Sequence, residues 1–379
     1  MGGGVAVLGA GGFVGSRLLE RAVHAGRRDI VPVVRGLRSV GRAANLGVSY
    51  RLGDASRPDS LKPALAGCDA VVNLTTGDPG DIVRTTESIY SAALAAGARV
   101  LIHLSSASVY GPVERPNLPD DAPPWLGHWM PYARQKGRAE NFLRQRMADP
   151  RLAIVVLRPG LIWGPGSPWV LGPATDLLRG AAYLVDSGNG ICNLMYVDNL
   201  LRSIDAVLAH AAAPSGFYHV GDDETRTWSD YYIALAAGLG ADIAKIHAVP
   251  GDRFRAGPRD RIEELKALPM YRQLKDRLPI AARAAMKLRV VRALGGDRAA
   301  VTANGNAVVT RELWHLQTTR YPLPTGKFRA TFGHRNTVSF RSGVAASLAW
   351  LRFIGVCEPE TPGKAAQADS GALAVGRGA

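Results

Sequence analysis

The sequence predicts an α/β protein: a doubly wound parallel sheet covered by helices on both faces, with a smaller, mostly helical second part. Three observations predict it. Short apolar runs alternate with segments of helical spacing through residue 160, as in parallel strands joined by crossover helices. A glycine-rich turn joins the first apolar run directly to the first helix. From about Asp222 the alternation stops and helical spacing predominates.

The first run, Val5-Ala6-Val7-Leu8, reads as a buried strand, and Gly9-Ala10-Gly11-Gly12-Phe13-Val14-Gly15 follows it. Ser16 to Ala25 has helical spacing of Leu18, Leu19, Ala22 and Val23, closed by Gly26. Glycines at 9, 12 and 15 let the turn tighten, let a pyrophosphate meet bare backbone, and let helix pack on strand. The N–H groups that open the helix then face phosphate charge. Ile30 to Val34 is a second strand, ending in Arg35-Gly36-Leu37-Arg38. A carboxylate there would hold a ribose 2′-hydroxyl, whereas arginine favours a 2′-phosphate, so Arg35 and Arg38 point to NADP, with NAD as the alternative. Val48 to Leu52 predicts a third strand, ending at Gly53-Asp54. Ala70 to Leu74 predicts a fourth, ending at Thr75-Thr76-Gly77, where backbone can flank a cofactor; Asp81 to Ala96 is helical.

The next strand, Leu101-Ile102-His103-Leu104, ends in Ser105-Ser106-Ala107-Ser108-Val109-Tyr110-Gly111. After a loop rich in Pro and Asp, Pro131-Tyr132-Ala133-Arg134-Gln135-Lys136 opens a helix, with Pro131 suited to its first position. Tyr132 and Lys136, four apart, share one helical face. A phenol with a free pKa of about 10 is a poor base at neutral pH. A neighbouring ammonium and the positive helix N-terminus would lower it towards the range of a general acid–base. Ser106, where it meets Tyr132, would hold a substrate hydroxyl. His103, inside an apolar run, reads as a hydrogen-bonded core residue.

The net charge of +14 permits phosphate-bearing ligands, nucleic acid or anionic membrane. The basic residues are scattered on helices without aromatic interleaving, so no nucleic-acid partner is expected. Three cysteines, Cys68, Cys192 and Cys357, are too few and too far apart for a disulfide framework or metal spacing, which fits a cytoplasmic protein. No apolar run reaches membrane-spanning length, and the N-terminus lacks a signal-peptide pattern. No metal site is expected.

The Gly-x-x-Gly-x-x-Gly turn, Gly53-Asp54, the Ser-Ser-Ala-Ser-Val-Tyr-Gly run and Tyr132-x-x-x-Lys136 together resemble the extended short-chain dehydrogenase/reductases, the NAD-dependent epimerase/dehydratase family. The resemblance continues in Leu157-Arg158-Pro159-Gly160-Leu161-Ile162-Trp163-Gly164, in Tyr196-Val197-Asp198-Asn199 and at Tyr218-His219-Val220-Gly221. It implies a Rossmann-type fold and an enzyme moving a hydride between a nicotinamide and a secondary carbinol or ketone. Ser106, Tyr132 and Lys136 would be the catalytic set, with Tyr132 and Lys136 also touching the cofactor. Gly9, Gly12, Phe13, Val14, Gly15, Arg35, Arg38, Asp54, Ala55, Leu74, Thr75, Thr76 and Pro159 would complete the cofactor site. Ser108 and Leu161 would meet the substrate. A homodimer is also implied.

The substrate expected is a nucleotide sugar. Ala107-Ser108 stand where the family's dehydratases carry acidic residues, which speaks against a sugar dehydratase. Leu161 stands where many epimerases carry asparagine. The Val197-Asp198-Asn199 and Thr227-Trp228 neighbourhoods are similar to the 3β-hydroxysteroid dehydrogenase branch, so a steroid- or dihydroflavonol-type apolar alcohol or ketone is the alternative. A non-catalytic NADP sensor or scaffold is the alternative of a different class.

Residues 1–167 and about 191–221 are expected to form the cofactor-binding domain, and 168–190 with 222–357 the substrate-binding domain. Residues 252–294 carry twelve Lys/Arg against five Asp/Glu and read as a basic helical insert. It is expected to cover the substrate cleft, with peripheral membrane contact as the alternative. Residues 358–379 read as a disordered tail.

Overall fold

The computed structural model describes residues 3–36, 40–252, 254 and 307–357. The basic insert, apart from Asp252 and Phe254, lies outside them, as do Arg38 and the tail from 358 onwards.

Seven parallel strands form the central sheet: β1 (Gly4–Leu8), β2 (Ile30–Val34), β3 (Arg51–Leu52), β4 (Cys68–Asn73), β5 (Val100–Leu104), β6 (Ala153–Pro159) and β10 (Gly216–Val220). Their spatial order is β10-β6-β5-β4-β1-β2-β3, so the order reverses between β1 and β4. That is the point at which an open α/β sheet offers a crevice beyond its strand ends. Both faces are apolar, as in a sheet covered on both sides. On one face Val7, Val72, Ile102 and Val155 pack on α1 (Phe13–His24) and α7 (Val197–Ala209). On the other, Leu8, Val71, Leu101 and Ile154 pack on α3 (Leu61–Leu65), α4 (Ile82–Ala95) and α5 (Pro131–Arg144).

Two boundaries differ from expectation. Helix α1 starts at Phe13 rather than Ser16, because Gly12 takes the extended N-cap conformation (φ −80, ψ 177). The third strand is only Arg51–Leu52, paired with Val33 and Val34. Pairing begins just after Pro32, which has no N–H to donate.

Outside the sheet stand β7 (Leu161–Trp163) with β9 (Leu194–Tyr196), and β8 (Tyr183–Val185) with β11 (His247–Val249). Helices α2 (Gly41–Asn45), α6 (Pro168–Leu178), α8 (Trp228–Leu239), α9 (Arg311–Gln317), α10 (Gly326–Phe332) and α11 (Phe340–Phe353) complete the described elements. An outer core gathers around Trp163, with Val170, Trp228, Tyr231, Leu348 and Leu351. Gly343 lets α11 close onto it, since a Cβ there would lie 2.9 Å from Trp163 Cζ2. The Val197-Asp198-Asn199 run is a fastening. Asp198 takes a two-point ion pair from Arg17 at 2.8 and 2.9 Å. Buried Asn199 accepts from the N–H groups of Thr337 and Val338 at 3.1 Å each and donates to Asp222 at 2.8 Å.

Candidate active site

The turn after β1 shows why its glycines are needed. Gly9 sits at φ +83, and a Cβ there would meet the Leu74 carbonyl carbon at 2.8 Å and the Thr75 nitrogen at 3.0 Å. A Cβ at Gly15 would collide with the Gly9 carbonyl oxygen. Gly12 opens α1, exposed, at the point where an anion can meet helix N–H groups. Bare backbone at the switch point, followed at once by a twelve-residue helix, fits a dinucleotide pyrophosphate. Phe13 and Val14 form the first turn of that helix, with Phe13 lying against Gly166.

At the adjacent strand ends, Asn73 Oδ1 accepts from the Thr75 N–H at 3.0 Å and from its hydroxyl at 2.6 Å. The Asn73 amide meets His103 Nδ1 at 3.0 Å, so His103 is a buried, hydrogen-bonded core residue as expected. Leu74 is buried and Thr76 continues the loop. Beyond β3, the Asp54 carboxylate accepts from the Ser56 N–H and hydroxyl at 2.9 and 2.8 Å, with Arg57 Nε at 3.5 Å. Burial opposes its charge, but these partners and the nearby Arg35 hold its carboxyl below the usual range. Arg35 is exposed and close enough to act on Asp54, while Ala55 is buried.

The end of β5 carries Ser106, whose Oγ accepts from the Ser108 N–H at 3.2 Å and caps the 3₁₀ turn Ala107–Tyr110. Helix α5 begins at Pro131, as its sequence dictates, and presents Tyr132 to Ser106. One turn later, buried Lys136 donates to the Leu104 carbonyl at 2.7 Å and lies 3.4 Å from the Thr75 carbonyl. Its Nζ is 6.0 Å from the Tyr132 ring centre. The three side chains thus converge, with Lys136 tying them to the loop that touches Gly9.

The expected lowering of the Tyr132 pKa is not found in the polypeptide by itself. Burial pushes the phenol up to about 12, against the pull of the Ser106 hydroxyl. Burial also weakens the lysine, bringing Lys136 down to about 8 despite the nearby Glu140 carboxylate. An ammonium held on carbonyls, and itself desolvated, does not offset the desolvation of the phenolate.

Several groups near the site were assigned no role from the sequence. Glu140, one turn after Lys136, takes a buried two-point ion pair from Arg158 at 3.0 and 2.6 Å. Arg158 also donates to the Asp120 carbonyl at 2.7 Å and to the Tyr110 hydroxyl, which meets His219 Nε2 at 3.0 Å. An arginine inside the apolar run of β6 was the visible signal; its partners were not. Helix α9 also reaches the site. His315 stacks on Trp129 at 5.9 Å, and the Arg311 guanidinium lies 4.8 Å above the same ring.

Two cavities adjoin Ser106 and α9. One of about 60 Å³ is lined by Ser106, Ser108, Pro159, Leu161, Leu316 and Thr319. The Ser108 hydroxyl is buried there and has no partner among the described residues. The second, of about 850 Å³, is bounded by Trp169, Leu171, Asp176, Tyr183, Glu312 and Leu313. Of the candidate site residues, Phe13, Val14 and Gly15 lie at the start of α1 and Tyr132 and Lys136 near the start of α5, and the others apart from Arg38 lie at or just beyond the C-terminal ends of the sheet strands.

Residues 5–221 match the model of the NAD dependent epimerase/dehydratase family. The chain belongs to that family, whose members are NAD-dependent dehydratases, epimerases and reductases. It is 30% identical to 3-diazoavenalumate denitrifying reductase of a Streptomyces species, over 62% of this chain and 82% of that protein. It is 28% identical to dTDP-glucose 4,6-dehydratase of Streptomyces antibioticus, over 62% and 78%. The fold is shared with the crystal structure of the Streptomyces venezuelae dTDP-glucose 4,6-dehydratase with NAD bound. The TM-score is 0.65 and the identity 22%, over 94% of this chain and 99% of that one.

Proposed function

We propose that this chain catalyses hydride transfer at a secondary carbinol or ketone of a nucleotide sugar, as a reductase or epimerase, with NADP as the cofactor. The observation that carries the reading is the convergence of Ser106, Tyr132 and Lys136 beside the glycine turn. Gly9, Gly12 and Gly15 would hold the pyrophosphate, Arg35 the 2′-phosphate, Asp54 the adenine side, and Lys136 the nicotinamide ribose. The bound nicotinamide would supply or accept the hydride. Ser106 would hold the reacting oxygen by a hydrogen bond. Tyr132 would give that oxygen its proton in reduction and take it back in oxidation, a contribution of about 10²- to 10⁴-fold. A phenol near 12 is well protonated at neutral pH, which suits the reductive direction.

The same reading divides the chain into a cofactor-binding domain of residues 1–167 and about 191–221 and a substrate-binding domain of residues 168–190 and 222–357. It also expects a cytoplasmic homodimer. A second reading, an apolar ketone as substrate, is favoured by the apolar walls of the larger cavity at Trp169, Leu171 and Leu313.

The test is turnover followed at the nicotinamide absorbance with a panel of keto sugar nucleotides and apolar ketones. Tyr132→Phe should lose about 10²- to 10⁴-fold in kcat. Near-full turnover in that variant would remove the catalytic assignment. Native mass spectrometry of the purified protein reads retained NAD or NADP and subunit count together; a strictly monomeric protein would contradict the dimer.

A further inference from the structure

We infer that Trp129 is a positioning residue for Tyr132: clamped from α9 by Arg311 and His315, it fixes the first turn of α5 and with it the phenol that handles the proton. The inference rests on the proposed function for the role of Tyr132 and adds what places that group.

Tyr132 is the second residue of α5, in the turn where a helix frays most readily. Met130 is the N-cap and offers no side-chain cap, and Pro131 has no N–H to donate. A helix start of this kind is held by what packs on it. Buried His128 accepts from the Met130 N–H through Nδ1 at 2.9 Å, and its carbonyl accepts from the Arg134 guanidinium at 3.3 Å.

Trp129, between those two residues in the chain, is gripped from a distant part of the sequence. His315 stacks on its ring at 5.9 Å and 25°, and the Arg311 guanidinium lies 4.8 Å from the ring centre. Arg311 and His315 are four apart in α9, so one helical face supplies both contacts. Helix α9 is itself anchored at both ends. The Thr310 N–H donates to the Tyr183 hydroxyl at 2.9 Å. Buried Gln317 accepts from the Val185 N–H at 2.6 Å and donates to the Tyr183 carbonyl at 3.1 Å. The clamp thus ties the first turn of α5 to β8. Trp129 lies outside every motif that carries the family resemblance. A reacting group misplaced by about 1 Å can lose about 10²-fold in rate, so a broken clamp should read out in kcat.

The test compares Trp129→Leu, which has no ring face, with Trp129→Phe and with Arg311→Met/His315→Leu on the other side of the clamp. Two readouts are taken on the NADP-loaded protein. One is hydrogen exchange at the amides of Arg134, Gln135 and Lys136, which close the first turn of α5. The other is turnover of the keto sugar nucleotide that wild type reduces fastest. Trp129→Leu and the α9 pair should each speed that exchange about tenfold or more. Each should lower kcat about 10- to 100-fold, with KM and NADP affinity within about threefold of wild type. Trp129→Phe should recover most of both losses. Adding the α9 pair to Trp129→Leu should change little more, because all three substitutions break one contact. A purely structural residue would instead lower the unfolding midpoint and leave kcat per folded molecule unchanged. That result, equal losses in Trp129→Phe, or losses that multiply in the combined variant would overturn the inference. Circular dichroism reports folding, and where Trp129→Leu does not fold the α9 pair and Trp129→Phe decide. Failure of the proposed function looks different: wild type reduces no keto sugar nucleotide, or Tyr132→Phe keeps full turnover, while the exchange still reads the clamp.

Discussion

Helix α5 carries two buried ionic environments four residues apart, and they are built on opposite plans. Arg158 is fully buried against the helix and meets Glu140 through two short bonds, and it donates further to the Asp120 and Ala122 carbonyls and the Tyr110 hydroxyl. Burial opposes its charge, but the carboxylate outweighs burial and keeps the guanidinium charged. Lys136 is as deeply buried but has carbonyl oxygens as its close partners, and burial brings it to about 8. The difference teaches what each charge is for. A fully paired ion holds β6 to α5 at every ordinary pH. An incompletely compensated ammonium is costly to the fold, and its placement between Tyr132 and the Thr75 loop is the compensation.

Breaking the paired side should have the largest effect on folding. Arg158→Met leaves Glu140 buried and uncompensated, and should cost about 3–5 kcal/mol in urea unfolding. The double variant Arg158→Met/Glu140→Leu should recover much of that loss, since neither charge then remains buried alone. A single variant as stable as wild type would mean that the pair contributes nothing.

Breaking the other side should leave the fold standing and abolish the chemistry. Lys136→Met should lower turnover by about 10²-fold or more while unfolding at an equal or higher denaturant concentration near pH 7, where the buried ammonium is charged in the wild type. The pH dependence sharpens the contrast. A lysine whose folded pKa is about 8, against 10.5 when unfolded, is protonated more fully in the unfolded chain between those values. Stability should therefore rise with pH from about 8 to 10.5, and Lys136→Met should flatten that rise. A slope unchanged in the variant would assign it to another group.

The smallest effect is expected just beyond the end of β2. Arg35→Asp should shift the NADP:NAD preference towards NAD by about tenfold or more, with little change in stability. An unchanged ratio of the two dissociation constants would remove Arg35 from the cofactor argument.

These contrasts were unevenly legible. The Gly9-to-Gly15 turn, Ser106 and the Tyr132/Lys136 spacing could be read because each depends on a few adjacent residues and on one element's own periodicity. Helix α5 starts at Pro131 for the same local reason. What Lys136 touches could not be read: the carbonyls of Leu104 and Thr75 come from two other strand ends, and their effect on its charge is set by burial. That is why the expected lowering of Tyr132 came out reversed. Nothing in the spacing of α5 marks Glu140, because its partner Arg158 comes to it from β6, 18 residues away. Helix α9 was the least legible, since it reaches the start of α5 through Arg311 and His315 on Trp129, with 182 residues of sequence between Trp129 and Arg311.

The most direct test is a crystal structure of the protein with NADP and a bound substrate or product. The reacting oxygen should lie within hydrogen-bond reach of both Ser106 and Tyr132, about 2.6–3.2 Å, with Lys136 against the nicotinamide ribose. A nicotinamide bound away from Tyr132, or a substrate oxygen held by other groups while turnover persists, would contradict it.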